Sequence, residues 1–146
     1  ATVVEKLFDK GISLIGKSSM DELAMGGTNK SALTGPVFNP WDSTRIAGGS
    51  SGGSAALVGS GVVPFALGSD TGDSIRKPAG FCGVVGFKPT WGRISRFGVI
   101  PYASSLDHVG AFTRNVRDMA IVTEALAGHD KLDMTSSTRD IPHYLQ

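Results

Sequence analysis

The sequence predicts an α/β fold, and three observations carry that expectation. Residues 2–10 place Val3, Val4, Leu7 and Phe8 at the i, i+3, i+4 spacing of an amphipathic helix, with Gly11 as its stop. The short apolar run 12–15 lies between Gly11 and Gly16 and reads as a buried strand. Residues 48–79 hold two glycine/serine clusters, 48–54 and 68–74, separated by an apolar spacer, 55–67, long enough for a short helix turning into a strand. Beyond these, residues 115–127 give the clearest helix: Asn115 is a good N-cap, Val116, Met119, Val122 and Leu126 make one apolar face, and Gly128 ends it. Helices alternating with strands are the pattern of a layered α/β domain.

The remaining elements follow in order. Ser18 or Ser19 is positioned to cap a short helix running to Met25, with acids in its first turn. Residues 26–45 are polar and irregular, with two prolines, and read as a long surface loop anchored by Trp41. Residues 54–61 read as a helix and 62–67 as a strand. Residues 74–82 open another helix if Pro78 sits in its first turn. Residues 84–87 are strand-like and 89–92 a turn. Residues 93–100 suit a strand pair or an extended loop, and 104–112 a loop leading into a short apolar stretch. The chain from Asp130 onward is polar and aperiodic.

A length of 146 residues suits one domain with a modest core. With 14 basic against 13 acidic residues, net +1, the chain carries no basic footprint for nucleic acid. Cys82 is the single cysteine, so no internal disulfide forms, which fits a reducing cytoplasm. Its apolar surroundings mark it as a packed small residue. No run approaches the ~20 apolar residues of a membrane span. Twenty glycines are about twice ordinary usage, and they gather around the two clusters, where they signal special backbone geometry. The chain opens without an initiator Met, directly in helical sequence, and so reads as a piece of a longer protein.

The chemistry suggested by the clusters is acyl transfer. A serine hydroxyl needs a base to take its proton and donors to hold the developing oxyanion. Backbone amides converge where side chains do not crowd them, and Thr71, Gly72, Asp73 and Ser74 offer four in succession on a strand-to-helix turn. The glycines around Ser50 and Ser51 let a second serine approach the first and relay a proton. Two other readings stand beside this one: a flexible linker, and a phosphate cradle at a helix N-terminus. Neither phosphate motif, GxxxxGK[ST] or GxGxxG after a strand, is present. His108, His129 and His143 have no triad or metal spacing; the last two read as solvated and His108 as a packed loop residue.

GGSSGGSAALV followed by GSDTGDSIRKPAGFCGVVGFKPT resembles the amidase signature family, whose members use a Ser–cis-Ser–Lys triad. That resemblance implies Ser74 as nucleophile and Ser50 as the bridging serine with a cis peptide bond. It implies the amides of Thr71, Gly72, Asp73 and Ser74 as the oxyanion hole, with no metal site. Further segments, GKSSMDELAMG (16–26), NPWD (39–42), GFKPTWGRISRFG (86–98), ASSLD (103–107) and DKLDMTS (130–136), resemble the A subunits of bacterial aspartyl/glutamyl-tRNA amidotransferases, over nearly the whole chain.

The implied fold is an α/β/α sandwich with a mixed sheet, residues 1–146 being a central part truncated at both ends. The implied function is glutamine hydrolysis that supplies ammonia for transamidation of misacylated Glu-tRNA(Gln) or Asp-tRNA(Asn). The partners implied are glutamine, B and C subunits, and, mainly through the B subunit, misacylated tRNA. For the whole complex, but not for this segment, ATP and magnesium are implied, and the location is cytoplasmic. The alternatives are another amidase signature hydrolase acting on a small amide, or a noncatalytic phosphate-binding or scaffold fragment.

Two departures from the family pattern matter. The family commonly has Gly-Gly-Ser at the nucleophile, where this chain has Gly72-Asp73-Ser74. The family's catalytic lysine lies in an upstream motif that none of Lys6, Lys10, Lys17, Lys30, Lys77, Lys88 or Lys131 matches, so the segment alone is expected to be inactive.

Overall fold

The structure is a computed structural model and describes residues 1–145. Its elements are α1 (Thr2–Asp9), α2 (Gly52–Gly59), β1 (Phe65–Asp70), α3 (Arg76–Cys82), β2 (Val85–Phe87), β3 (His108–Thr113) and α4 (Val116–Leu126), with a 3-10 turn at Glu22–Ala24. The strand order is β1-β3-β2. Both pairs are antiparallel, with Gly68 opposite Gly110 and Gly86 opposite Phe112. The central strand β3 is buried along its whole length.

Side chains of a strand alternate between faces, and here each face meets a different helix pair. Val109 and Ala111 join Val3 and Leu7 of α1 and Met119, Val122 and Leu126 of α4 in one core cluster. Phe112, from the opposite face of β3, joins Ala55 and Val58 of α2 and Ile75, Ala79 and Cys82 around α3 in the other. The result is an α/β/α arrangement, as expected, but the expected mixed sheet is not seen: β1 and β2 both run opposite to the central β3, so the described strands pair only antiparallel.

Glycine decides how closely the second layer sits. A Cβ on Gly110 would lie 2.2 Å from the Phe87 carbonyl oxygen and 2.9 Å from Ile75 Cδ1, and one on Gly68 would lie 2.9 Å from Ser51 Oγ. These two glycines face each other in register. Their missing side chains let the entrances to α2 and α3 lie directly on the sheet, and those entrances carry the two glycine/serine clusters.

Several local expectations are corrected. Residues 12–15 form no strand; Leu14 and Ile15 are exposed, and no described strand lies beside them to complete the backbone hydrogen bonds. The helix expected to run to Met25 is a single 3-10 turn. Its candidate caps are engaged elsewhere: Ser18 Oγ lies 2.6 Å from Ser54 Oγ, and Ser19 Oγ 2.5 Å from Thr34 Oγ1. Trp41 does anchor the long loop, but through hydrogen bonding: Nε1 donates to the Cys82 carbonyl at 2.8 Å while the residue stays 72% exposed. Val116 leaves the apolar face of α4 and is exposed.

Other expectations hold. Asn115 caps α4, its side chain accepting from the Asp118 amide at 2.8 Å. Pro78 is the third residue of α3, inside the first turn, where its missing N–H costs no helical bond. Cys82 is fully buried, and burial pushes its thiol up to about 11. His108 is buried, with Nε2 3.0 Å from the Thr90 carbonyl, and burial lowers its pKa. His129 and His143 are exposed. The polar stretch after residue 129 is pinned rather than loose: Asp130 Oδ2 accepts from Ser95 Oγ at 2.5 Å and from Thr2 Oγ1 at 2.6 Å. Among the described residues, no helix is long and apolar enough to cross a membrane.

The glycine-lined contact predicts opposite effects for two alanine substitutions. Gly110→Ala overpacks the sheet against α3 and costs about 1–3 kcal/mol. Gly80→Ala, in exposed α3 surface with open space around it, stabilises by about 0.5–1 kcal/mol. Thermal unfolding midpoints of the two variants check both signs.

Candidate active site

The two clusters meet at one end of the sheet. The Ser51 amide donates to the Ser74 carbonyl at 3.1 Å. Ser51 Oγ closes a two-way bond with Ser69 of β1, donating to its carbonyl and accepting from its amide, each at 3.2 Å. Ser54 Oγ donates to the Leu67 carbonyl at 2.7 Å. Ser51 and Ser54 are therefore spent on joining α2 to the sheet. Ser50 and Ser74 are not. Both are buried, and the Ser50 hydroxyl has no hydrogen-bond partner among the described residues. The Gly49–Ser50 peptide is cis.

The turn that carries Ser74 is held from both ends by one ion pair. Asp70, the last residue of β1, is fully buried. Arg76 opens α3 and forks onto its carboxylate, Nε to Oδ2 at 3.1 Å and Nη2 to Oδ1 at 3.0 Å. Asp70 Oδ2 also accepts from the amides of Ile75 at 3.0 Å and Arg76 at 3.3 Å, which satisfies the first donors of α3. Arg76 Nη2 donates to the Gly72 carbonyl as well. Thr71 is tied sideways, its Oγ1 donating to Asp107 Oδ1 at 2.5 Å, while Asp107 Oδ2 accepts from the Tyr102 amide at 2.8 Å.

Burial by itself raises the Asp70 pKa. The hydrogen bonds from the Arg76 side chain and from the Ile75 and Arg76 amides outweigh it and hold the carboxyl below the usual aspartate range. With these anchors in place, the amides of Thr71, Gly72, Asp73 and Ser74 have no acceptor among the described residues.

Two side chains that the sequence reading passed over hold the first cluster. The Asp21 amide donates to the Ser50 carbonyl at 3.0 Å. Asp21 Oδ2 accepts from the Asn29 amide at 2.9 Å, and Asn29 Oδ1 accepts from the Gly52 amide at 2.9 Å. Asp21 reads in sequence as an ordinary first-turn acid, and nothing local to it signals burial.

These contacts also weigh against a phosphate cradle. The amides of Ser51, Gly52 and Gly53 donate to Ser74, Asn29 and Ser19, so none is available to an anion. A cavity of about 320 Å³ adjoins the turn on its other flank, lined in part by Ser69, Thr71, Arg96, Asp107, His108 and Asp133. Neither Ser50 nor Ser74 borders it. No group of three or more His, Cys, Asp or Glu among the described residues is placed to hold a metal ion.

The chain is similar to known proteins over nearly its whole length. Residues 1–145 match the family described as Amidase. The chain is 57% identical over 145 residues to the A subunit of glutamyl-tRNA(Gln) amidotransferase from Psychrobacter sp. (strain PRwf-1), covering 99% of this chain and 29% of that protein. The crystal structure of the corresponding protein from Thermotoga maritima superposes with a TM-score of 0.95 at 51% identity, over 97% of this chain and 31% of that one. A substrate complex of 6-aminohexanoate cyclic dimer hydrolase superposes with a TM-score of 0.93 at 36% identity, over 100% and 31% of the two chains. This chain thus spans about 30% of the length of the relatives it matches.

The buried fork at the turn predicts a pH-dependent contribution to stability. Asp70→Asn costs about 1–3 kcal/mol at neutral pH, toward the low end because the Arg76 side chain is half in solvent. Because the folded pKa of Asp70 is depressed, the wild-type advantage is fully present above the unfolded aspartate value of about 3.9 and fades as pH falls through the lower folded value. Urea midpoints of wild type and Asp70→Asn converge on acidification if this is right.

Proposed function

This chain belongs to the Amidase family, and from that premise we propose that it is the nucleophile-bearing part of the A subunit of a glutamine-hydrolysing amidotransferase. One observation carries the reading. Two buried serines left out of the structural hydrogen bonding, Ser50 with a hydroxyl that is itself buried and Ser74, are brought to one turn whose four amides have no acceptor among the described residues.

In this reading Ser74 Oγ attacks the side-chain amide carbonyl of glutamine. Its proton passes through Ser50 Oγ toward the leaving nitrogen. The amides of Thr71, Gly72, Asp73 and Ser74 hold the oxyanion of the tetrahedral intermediate. Collapse releases ammonia and leaves a glutamyl ester on Ser74, which water cleaves. The orphaned Ser50 hydroxyl suits a bridging role, because a buried hydroxyl without a partner costs about 1–3 kcal/mol and a lysine ammonium or amine supplied by the rest of the protein would relieve it. The released ammonia serves amidation of misacylated Glu-tRNA(Gln) or Asp-tRNA(Asn) on a B subunit, with a C subunit completing the assembly. The ATP and magnesium of the whole complex act there, and no residue of this chain is assigned to them.

A second reading, hydrolysis of a small amide without tRNA, is favoured by the superposition on 6-aminohexanoate cyclic dimer hydrolase. A requirement for glutamine and co-purification with B and C subunits separate the two.

In the full-length protein with its partner subunits, Ser74→Ala abolishes glutamine-dependent amidation and glutamine hydrolysis but leaves amidation driven by added ammonium salt. Ser50→Ala lowers the glutaminase kcat by about 10²–10⁴-fold. A fluorophosphonate probe labels Ser74 and fails on Ser74→Ala. Retention of glutaminase activity by Ser74→Ala would falsify the assignment.

A further inference from the structure

We propose that Lys77 is a positioning residue that balances the charge of Asp73 at the oxyanion turn, an inference that rests on the functional reading above. Asp73 puts a carboxylate on the residue directly before the nucleophile, and its own amide is one of the four that face the developing negative charge. Left alone, that carboxylate opposes the oxyanion. The structure shows where it goes. Asp73 Oδ2 lies 2.7 Å from Lys77 Nζ, one helical turn on, and the Lys77 amide donates to the Asp73 carbonyl at 2.8 Å.

The Lys77 head lies close against the long loop: a Cβ on Gly27 would lie 2.6 Å from Nζ. The neighbouring cation, Arg76, is engaged by Asp70 and by the Gly72 carbonyl. The turn thus contains two acid–base pairs, Asp70 with Arg76 and Asp73 with Lys77, and its side chains sum to zero charge. Lys77 is the group whose loss would leave the Asp73 carboxylate unbalanced beside the four amides.

The pair is only partly screened by water, with side-chain exposures of 46% for Asp73 and 34% for Lys77. An isolated i, i+4 pair of this kind contributes little to stability. Its consequence is instead for the transition state, where a negative charge forms at amides that include that of Asp73 itself, beside a carboxylate left unbalanced without Lys77.

The test uses the full-length protein with its partner subunits and measures glutamine hydrolysis. Lys77→Met lowers kcat about tenfold at low ionic strength with KM nearly unchanged. The defect shrinks in about 0.5 M salt, since screening acts on charge and not on packing. Lys77→Arg, and the double variant Asp73→Asn with Lys77→Met, recover most of the lost kcat. The inference is overturned if Lys77→Met keeps kcat within twofold of wild type, or if the double variant is as slow as Lys77→Met. Should Lys77→Met fail to fold, Lys77→Gln with and without Asp73→Asn gives the same comparison. Failure of the underlying functional reading shows differently: Ser74→Ala then retains turnover, whereas failure of this inference leaves Ser74→Ala inactive and Lys77→Met fast.

Discussion

Asp70 has no contact with solvent, yet it stays charged, because four donors converge on its two oxygens. This carboxylate ends a strand, begins a helix and binds the guanidinium that also grips the intervening turn. A charge buried in this way is costly unless paired and hydrogen-bonded, and here the same bonds that satisfy it set the path of residues 71–75. The free amides of Thr71, Gly72, Asp73 and Ser74 follow from this. They lie between the Asp70 carboxylate and the two amides it accepts from, and no described residue offers them an acceptor. The row of unpaired amides is a by-product of one strand-to-helix staple.

A second constraint brings the other cluster to this turn. Helices pack on sheets at a distance set by the side chains between them. Where Gly68 and Gly110 oppose each other, that layer is absent. Ser51 can then reach the backbone of Ser69 with its hydroxyl and the carbonyl of Ser74 with its amide. Asp21 and Asn29 support the cluster from the loop side. The hydroxyls divide accordingly: those of Ser51 and Ser54 hold the architecture together, while that of Ser50 is buried without a structural partner. Among serines only a few positions apart, geometry decides which hydroxyls are engaged and which are left free.

Much of this was legible in the residues. Amphipathic spacing located α1 and α4, and Asn115 marked the start of α4 correctly because its capping bond is local, to the amide three residues on. The two clusters announced a special turn through their glycines, and their resemblance to a known family pointed to Ser50 and Ser74. Asp73 stood out as a departure. The misses share a different character. Residues 12–15 carry a strand's composition without a strand's neighbour. Ser18 and Ser19 sit where caps belong but find hydroxyls far along the chain. Asp21 and Asn29 look like loop polar residues and are buried supports.

Helix faces, caps, stops and the small-residue clusters all depend on residues within about one helical turn of one another, and these the sequence determined without help. The tertiary structure decided which of the polar side chains in those clusters are occupied. Hydrogen bonds such as Ser51 to Ser69, Arg76 to Asp70 or Gly52 to Asn29 join residues 6 to 23 positions apart. A buried donor takes whichever acceptor the packing brings to it, so only the folded chain could show that Ser50 is left without one and that Asp73 is balanced by Lys77.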